Sequence, residues 1–437
     1  MAGTDGEDEH NSAEDDQRTP CKYGSKCYQK NPAHLQKYKH PQKRESNDDG
    51  KKQSHKKHKP EQTRSSEVYK DGKMEVENIL DKEDNEKGSS EIDDVEPETS
   101  LNENKGEGGS NNKENHSVEP ASPEDVRESI KQKFLVEMPE DFYSFWSFCH
   151  SVRHHAPLEA LSDIGLHLVG PFDVLAGRFK NTKPKKESEY LRHWRYYYDP
   201  PEFQTVLRGD DKTQFHMGYF RDDPKELPVF VASNAAAENC KIHPMGGNIF
   251  SAVRAYLKNY SSKCSPFQSM KVASLKRHLI AWAEKEKIDL ETPSPEMKTR
   301  SRKVVAKTFH SAGIVVPVNK QNDTGYRPLL ETDAQLKRIL QNCADSTDET
   351  ERRKLMDKLQ EVITAANIAN DECDFGTSLE LGIDLFSFGG EIFHRMSQQL
   401  LCTAYTLLQR NEFAQILKAH LEDRRKGTDL SIISSSE

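Results

Sequence analysis

Apolar positions along this chain are sparse up to about residue 122 and periodic beyond it. Over 124–134, Val126, Ile130 and Phe134 recur at the spacing of one helix face, and Ser122 before Pro123 offers an N-cap and a first-turn proline. Met138-Pro139-Glu140-Asp141 opens a second helix, on which Phe142, Phe145, Trp146 and Cys149 form an apolar stripe of the kind that packs into a core. Short β-like runs follow at 166–169, 194–198, 203–207, 215–219 and 229–231, separated by Gly, Pro and Asp. Their alternation and turn punctuation predict a mostly antiparallel sheet. The aromatic run Trp194-Arg195-Tyr196-Tyr197-Tyr198 reads as a core strand rather than a base-stacking platform, since no RNP signature accompanies it. A helix returns at 250–257. After a charged segment, 284–307, the run 309–318 reads as extended chain entering a second domain. There, 333–339, 355–368, 392–408 and 413–421 carry apolar residues at helical spacing. The expected fold class is α+β: an N-terminal domain of the body over 123–300 with the sheet, then a mainly helical domain over 301–425.

Composition explains the silence before residue 122. The whole chain of 437 residues is 34% hydrophobic and 31% charged, and the deficit falls on 43–122, a stretch of Lys, Glu, Asp, Ser, Asn and Gly. Too little apolar area is available there to offset the entropy of ordering the backbone, so a disordered charged linker is expected. The net charge of −9 argues against a protein that simply coats DNA. The basic patch 51–59 reads as a nuclear address or a nucleic-acid contact, and equally as a solvated charge run. No apolar run reaches the ~18 residues of a membrane span, and the N-terminus has no apolar signal core. Two of the eight cysteines stand together near the N-terminus and the rest are scattered singly, which is the usage of a reducing compartment.

Those two cysteines belong to the most specific local pattern. Cys21, Cys27, His34 and His40 stand as C-x5-C-x6-H-x5-H, a set of thiol and imidazole donors that suits tetrahedral zinc. The spacing is not that of a DNA-reading finger, and fortuitous clustering is the bland alternative. With Tyr23-Gly24, Cys27-Tyr28, Asn31-Pro32 and His40-Pro41, residues 18–42 resemble the poly(ADP-ribose)-binding zinc finger. That resemblance implies structural zinc on the four ligands and polymer contacts from Tyr23, Tyr28, Gln29 and Lys30. Gln29 departs from the arginine common in that family, which removes one charged contact to pyrophosphate that Lys30 replaces only in part.

A second constellation lies at Asn370-Asp371-Glu372-Cys373-Asp374-Phe375-Gly376, three carboxylates directly after a helical run. At the negative end of a helix dipole each is unfavourable by a few tenths to ~1 kcal/mol. From spacing alone an exposed acidic loop is the preferred reading, with a functional site or hard-ligand metal loop as alternatives; the calcium-loop pattern is absent. Upstream, Gly325-Tyr326-Arg327-Pro328 presents an aromatic and a guanidinium together, and arginine suits a carboxylate partner.

Longer runs carry a broader resemblance. His193-Trp194-Arg195, Tyr197 to Thr205, His216 to Asp222, Lys307-Thr308-Phe309-His310, Gly325-Tyr326-Arg327, Ala369 to Asp374 and Leu379-Glu380-Leu381-Gly382 resemble the histone PARylation factor family over roughly 125–425. The resemblance implies a nuclear chromatin protein that is not an autonomous enzyme. Such a protein docks on the catalytic domain of DNA-damage-activated poly(ADP-ribose) polymerases and completes a joint site that modifies serines of histones, NAD being brought by the polymerase. Carried over by position, Glu372 is the base for the acceptor serine and Asp371 and Arg327 support it. Tyr326, Arg327, Asp371 and Asp374 meet the partner. A positioned base is what a serine hydroxyl lacks as a nucleophile, and an adjacent guanidinium favours the carboxylate form. Two readings compete: a polymer reader acting at damage sites through the finger alone, and a hydrolase built on Asp371, Glu372 and Asp374, the weaker of the two because no nucleotide-binding loop is recognisable.

Overall fold

The computed structural model describes residues 19–21, 34, 37–39, 125–180, 185–262 and 265–433. The expected linker, 43–122, lies outside them. Two units are described. In the N-terminal one, β1 (Thr19–Pro20) and β2 (Tyr38–Lys39) pair in parallel.

In the second unit, α1 (Val126–Phe134) is capped by Asp125, whose carboxylate accepts the Arg127 amide at 2.8 Å; Ser122 lies outside the described residues. Next, α2 (Glu140–Val152) buries Phe142, Phe145 and Cys149 of the expected stripe, joined by Phe148, while Trp146 is half-buried. The sheet is antiparallel throughout, in the order β3 (His167–Leu168), β4 (Phe203–Arg208), β5 (Phe215–Phe220), β6 (Phe230–Ala235), β7 (His243–Gly246). Two short helices, α3 (Pro171–Leu175) and α4 (Glu187–Arg192), lie between β3 and β4 in the chain.

The central strands are buried along almost their whole length because both sheet faces are covered. One face gives Val206, Met217, Tyr219 and Val231 to a large core shared with α2 and with Phe250 of α5 (Ile249–Ser261). Truncating a phenylalanine here, such as Phe142, would cost ~3–5 kcal/mol. The other face presents Phe203, Phe220 and Phe230, with Phe220 and Phe230 stacked at 4.9 Å. Arg300, in the last turn of α7 (Pro295–Ser301), lies over both rings, grips Asp222 through two bonds of 2.7 and 2.8 Å and donates to the Ala312 and Gly313 carbonyls. It thereby pins the 309–318 run to the sheet. That run is a turn with irregular chain, not the expected extended stretch: Thr308 and Ser311 have φ of 58° and 68°, and Ala306 bridges back to Ile314.

The expected strand at 194–198 is also a turn. Trp194 takes φ 54°, and the segment's amides find partners other than a neighbouring strand: Trp194 donates to the Leu430 carbonyl at 3.1 Å, Arg195 to the Arg192 carbonyl at 3.2 Å, and Tyr196 to the Asp199 carboxylate at 3.0 Å, while the Arg195 side chain donates to the Leu191, Pro200 and Phe203 carbonyls. Turn bonds and a side-chain acceptor of this kind take the place of a strand ladder. The aromatic content did mark a core segment, since Trp194, Tyr196 and Tyr197 are buried and Tyr196 stacks on His216 at 3.8 Å.

Beyond β7 the chain is helical. Besides α5 and α7 it includes α6 (Pro266–Lys285), absent from the sequence expectation, as was β7. Then come α8 (Asp333–Asp345), α9 (Glu349–Asp371), α10 (Phe375–Phe388), α11 (His394–Leu407) and α12 (Asn411–Glu422). The class is α+β, as expected. Unforeseen was α10, the most buried helix, whose all-round apolar surface gives no single stripe to detect. Leu379, Ile383 and Phe386 join the core that holds α2, while Leu381 and Leu385 join a second cluster with α8 and α9.

Candidate functional site

The turn between α9 and α10 is built by a Schellman motif. The Asp374 amide donates to the Ala369 carbonyl at 2.8 Å, and the Cys373 amide to Asn370 at 3.0 Å, with Cys373 at φ 72°. A cysteine in that left-handed conformation costs roughly 1–2 kcal/mol relative to glycine. The motif divides the three acids between two helix ends. Asp371 and Glu372 close α9, where the dipole is unfavourable, and Asp374 opens α10, where it is favourable.

Against this turn lies the Gly325-Tyr326-Arg327 loop. Gly325 adopts φ 116°, and a Cβ there would fall 2.2 Å from the Pro317 carbonyl oxygen, so only glycine fits. Its amide donates to Asp374 Oδ1 at 2.7 Å, and its carbonyl accepts the Gly376 amide at 2.9 Å. Arg327 is clamped through its backbone, whose amide donates to Thr377 Oγ1 at 3.2 Å while its carbonyl accepts from the same hydroxyl at 2.8 Å.

The side chains then converge. Arg327 Nε donates to Asp374 Oδ2 at 2.7 Å, Nη2 lies 2.6 Å from the same oxygen, and Nη2 also donates to Glu372 Oε2. Glu372 foremost, and then Asp374, hold the Arg327 guanidinium above its usual range, against a smaller desolvation effect. Asp374 is buried with both oxygens engaged, whereas the Arg327 side chain keeps 44% of its surface exposed and Glu372 24%. Arg327, Glu372 and Asp374 are therefore one network. Asp371 is not part of it: it is exposed on the last turn of α9, with no ion pair among the described residues. Its expected support of Glu372 thus has no counterpart in this arrangement.

Tyr326 turns inward, its hydroxyl donating to Glu380 Oε2 at 3.0 Å. Burial pushes the Tyr326 phenol up, and Glu380 adds to the effect. Burial also pushes Glu380 up to about 7, against the lowering effect of the Tyr326 bond. Gly325, Thr377 and Glu380 are positioning residues that the sequence reading did not single out as such. The usable signal was Glu380 and Asp384, two acids four apart inside an otherwise apolar helix.

In the N-terminal unit, Cys21 is buried and its amide donates to the Lys39 carbonyl at 2.9 Å, tying it to the strand pair. His34, which falls in the second unit, is half-buried. Cys27 and His40, and the expected polymer contacts Tyr23, Tyr28, Gln29 and Lys30, lie outside the described residues. A thiol buried in so polar a stretch is a donor of the kind that suits zinc. No disulfide links the described cysteines, and no helix among the described residues is long and apolar enough to cross a membrane.

Two family models match the chain. One described as "Histone PARylation factor 1" covers residues 125–424, and one described as "PBZ domain" covers 18–43. Among similar proteins, "Histone PARylation factor 1" of Bos taurus is 46% identical over 314 residues, spanning 71% of this chain and 90% of that protein. The Mus musculus protein of that name is 46% identical over 302 residues, 69% of this chain and 87% of its own. "Putative histone PARylation factor 1-like" of Homo sapiens is 44% identical over 304 residues, with the same two shares.

Proposed function

The chain belongs to the histone PARylation factor 1 family and carries a PBZ domain ahead of the family region, and from that premise we propose that it completes the active site of a poly(ADP-ribose) polymerase and supplies Glu372 as general base for serine modification. The supporting observation is the pairing of Arg327 with Glu372, 45 residues apart in the chain, at a partly exposed site beside half-buried Tyr326. Two exposed apolar residues adjoin them in the chain, Ile368 one turn before Glu372 and Leu330 three residues after Arg327. A partly exposed arginine with exposed aliphatics beside it is a composition found at interface centres.

In this reading the polymerase binds NAD, and this protein presents a carboxylate to the acceptor serine. The serine oxygen forms a bond to the ribose carbon as the bond from that carbon to nicotinamide breaks, and Glu372 takes the hydroxyl proton. A positioned base contributes ~10²–10⁴-fold to such a step. The chain contributes a residue to its partner's chemistry rather than a complete site of its own. The PBZ domain supports a further role: zinc held by Cys21, Cys27, His34 and His40 would order a finger that binds poly(ADP-ribose), keeping the body at modified chromatin in the nucleus.

The test is Glu372→Gln. An amide keeps the shape and loses the basicity. With polymerase, NAD and a histone peptide, the variant should bind the polymerase as the native protein does while serine modification falls ~10²-fold or more. Modification of acidic side chains, which need no base, should persist. Near-normal serine transfer by the bound variant would sink the reading and leave the polymer-reader role, carried by the PBZ domain alone, in its place.

A further inference from the structure

Beneath Tyr326 lies a second acidic group that the docking reading does not use. Asp333, Glu380 and Asp384 bring carboxylate oxygens within 4.8 Å of one another. Asp333 is the first residue of α8, fixed there by the Thr332 cap, whose hydroxyl accepts the Gln335 amide at 3.4 Å. Glu380 and Asp384 stand four apart on α10, are 6% and 0% exposed, and so place like charges side by side inside the protein. On a solvated helix such a pair already costs a few tenths of a kcal/mol, and burial makes it worse.

The oxygens do not find enough partners within the chain. Glu380 Oε2 accepts from Tyr326, and Asp384 Oδ1 accepts the Phe309 amide at 2.7 Å. Asp384 Oδ2 is enclosed and has no hydrogen-bond partner among the described residues. Lys337, whose charge opposes the burial effect on Asp384, lies over the Phe309 ring at 4.4 Å and makes no ion pair among the described residues. Burial drives Asp384 well above the usual carboxylate range, with Glu380 and Asp333 adding to it and the Phe309 bond opposing. A buried carboxylate oxygen with no donor calls for a proton or a cation.

We infer that Asp333, Glu380 and Asp384 form a binding site for a hydrated divalent cation of the magnesium–calcium class. An all-carboxylate set selects hard ions over zinc or copper. The spacing suits calcium, whose ligands on opposite sides lie about 5 Å apart at metal–oxygen distances of ~2.5 Å; magnesium, at ~2.1 Å, would have to draw the oxygens to within about 4.2 Å. Exposed Asp333 leaves the solvent side open for the waters such ions retain. The site goes beyond the docking reading and does not depend on it.

The experiment uses the full chain with its finger saturated with zinc. Calorimetric titration with Mg²⁺ and with Ca²⁺ should show one saturable site. Terbium, a calcium surrogate, should emit on tyrosine excitation, because Tyr326 donates to one of the proposed ligands. Asp384→Asn keeps an oxygen for the Phe309 amide and should weaken binding ~10-fold or more, by removing a charged ligand. Asp333→Asn changes an exposed residue, so the fold survives, and it should weaken binding comparably; Glu361→Gln, an exposed acid elsewhere on α9, should not. Absence of a saturable site up to ~5 mM of either cation, or binding unchanged in Asp333→Asn, would overturn the inference.

Discussion

Arg327 concentrates most of what distinguishes this protein's surface. A lysine could neutralise one carboxylate, but only a planar fork reaches buried Asp374 and partly exposed Glu372 together. The two acids contribute differently. Asp374, with both oxygens engaged, fixes the loop; Glu372 sits at the helix end, where the backbone dipole disfavours it and a partner can reach it. Arg327→Ala should weaken docking on the polymerase catalytic domain by ~25-fold or more, the cost of removing an interface hot spot. Arg327→Lys should recover only part of that, because charge returns without the fork. Both are read by titration calorimetry in the absence of NAD, so that binding is separated from chemistry. Native-like binding by Arg327→Ala would move the residue from the interface to the reacting site.

At the scale of elements, helices and sheet are joined by buried polar groups whose protonation should appear in stability. Glu202, which ends the turn leading into β4, is fully enclosed; it accepts the Tyr405 hydroxyl of α11 at 2.8 Å, while its Oε2 has no hydrogen-bond partner among the described residues. Burial pushes it up to about 7, from an ordinary value of 4.5. The folded protein thus holds a proton that the unfolded chain releases. The Glu202 contribution is fully present below about pH 4.5 and is lost as pH rises through about 7. Glu202→Gln keeps an acceptor for Tyr405 and cannot ionise. Its melting temperature should gain on the native protein between pH 5 and 7 and hold that gain above, at ~2–4 °C per kcal/mol for a body of this size. A difference independent of pH, followed by calorimetric melting, would show that Glu202 does not titrate in that window.

At the scale of the molecule, the two proposed functions should separate. A small zinc unit has no core of its own, so the metal supplies its folding free energy, whereas the body rests on apolar clusters around the sheet and α10. Cys21→Ala should therefore abolish zinc uptake and poly(ADP-ribose) binding while leaving the thermal transition of the body in place. Loss of that transition on chelation would mean that the body depends on the finger.

The sequence by itself determined what acts over a turn or two. Donor types and spacing marked the finger; i, i+4 apolar spacing marked α1, α2, α8, α9, α11 and α12; the acid cluster and the Tyr326-Arg327 pair were visible as composition. Long exact runs carried the family. Non-local packing decided the rest, because partners distant in the chain meet only after loops close around a core. Local pattern made Trp194 to Tyr198 a strand until the Leu430 carbonyl and the Asp199 carboxylate took its amides, and α10 escaped detection because it is enclosed on every side. The same limit governed the site. Arg327 meets Glu372 and Asp374 across 45 and 47 residues, and Tyr326 meets Glu380 across 54, while Asp371, adjacent to Glu372 in sequence, stands apart because successive residues on a helix point about 100° away from each other.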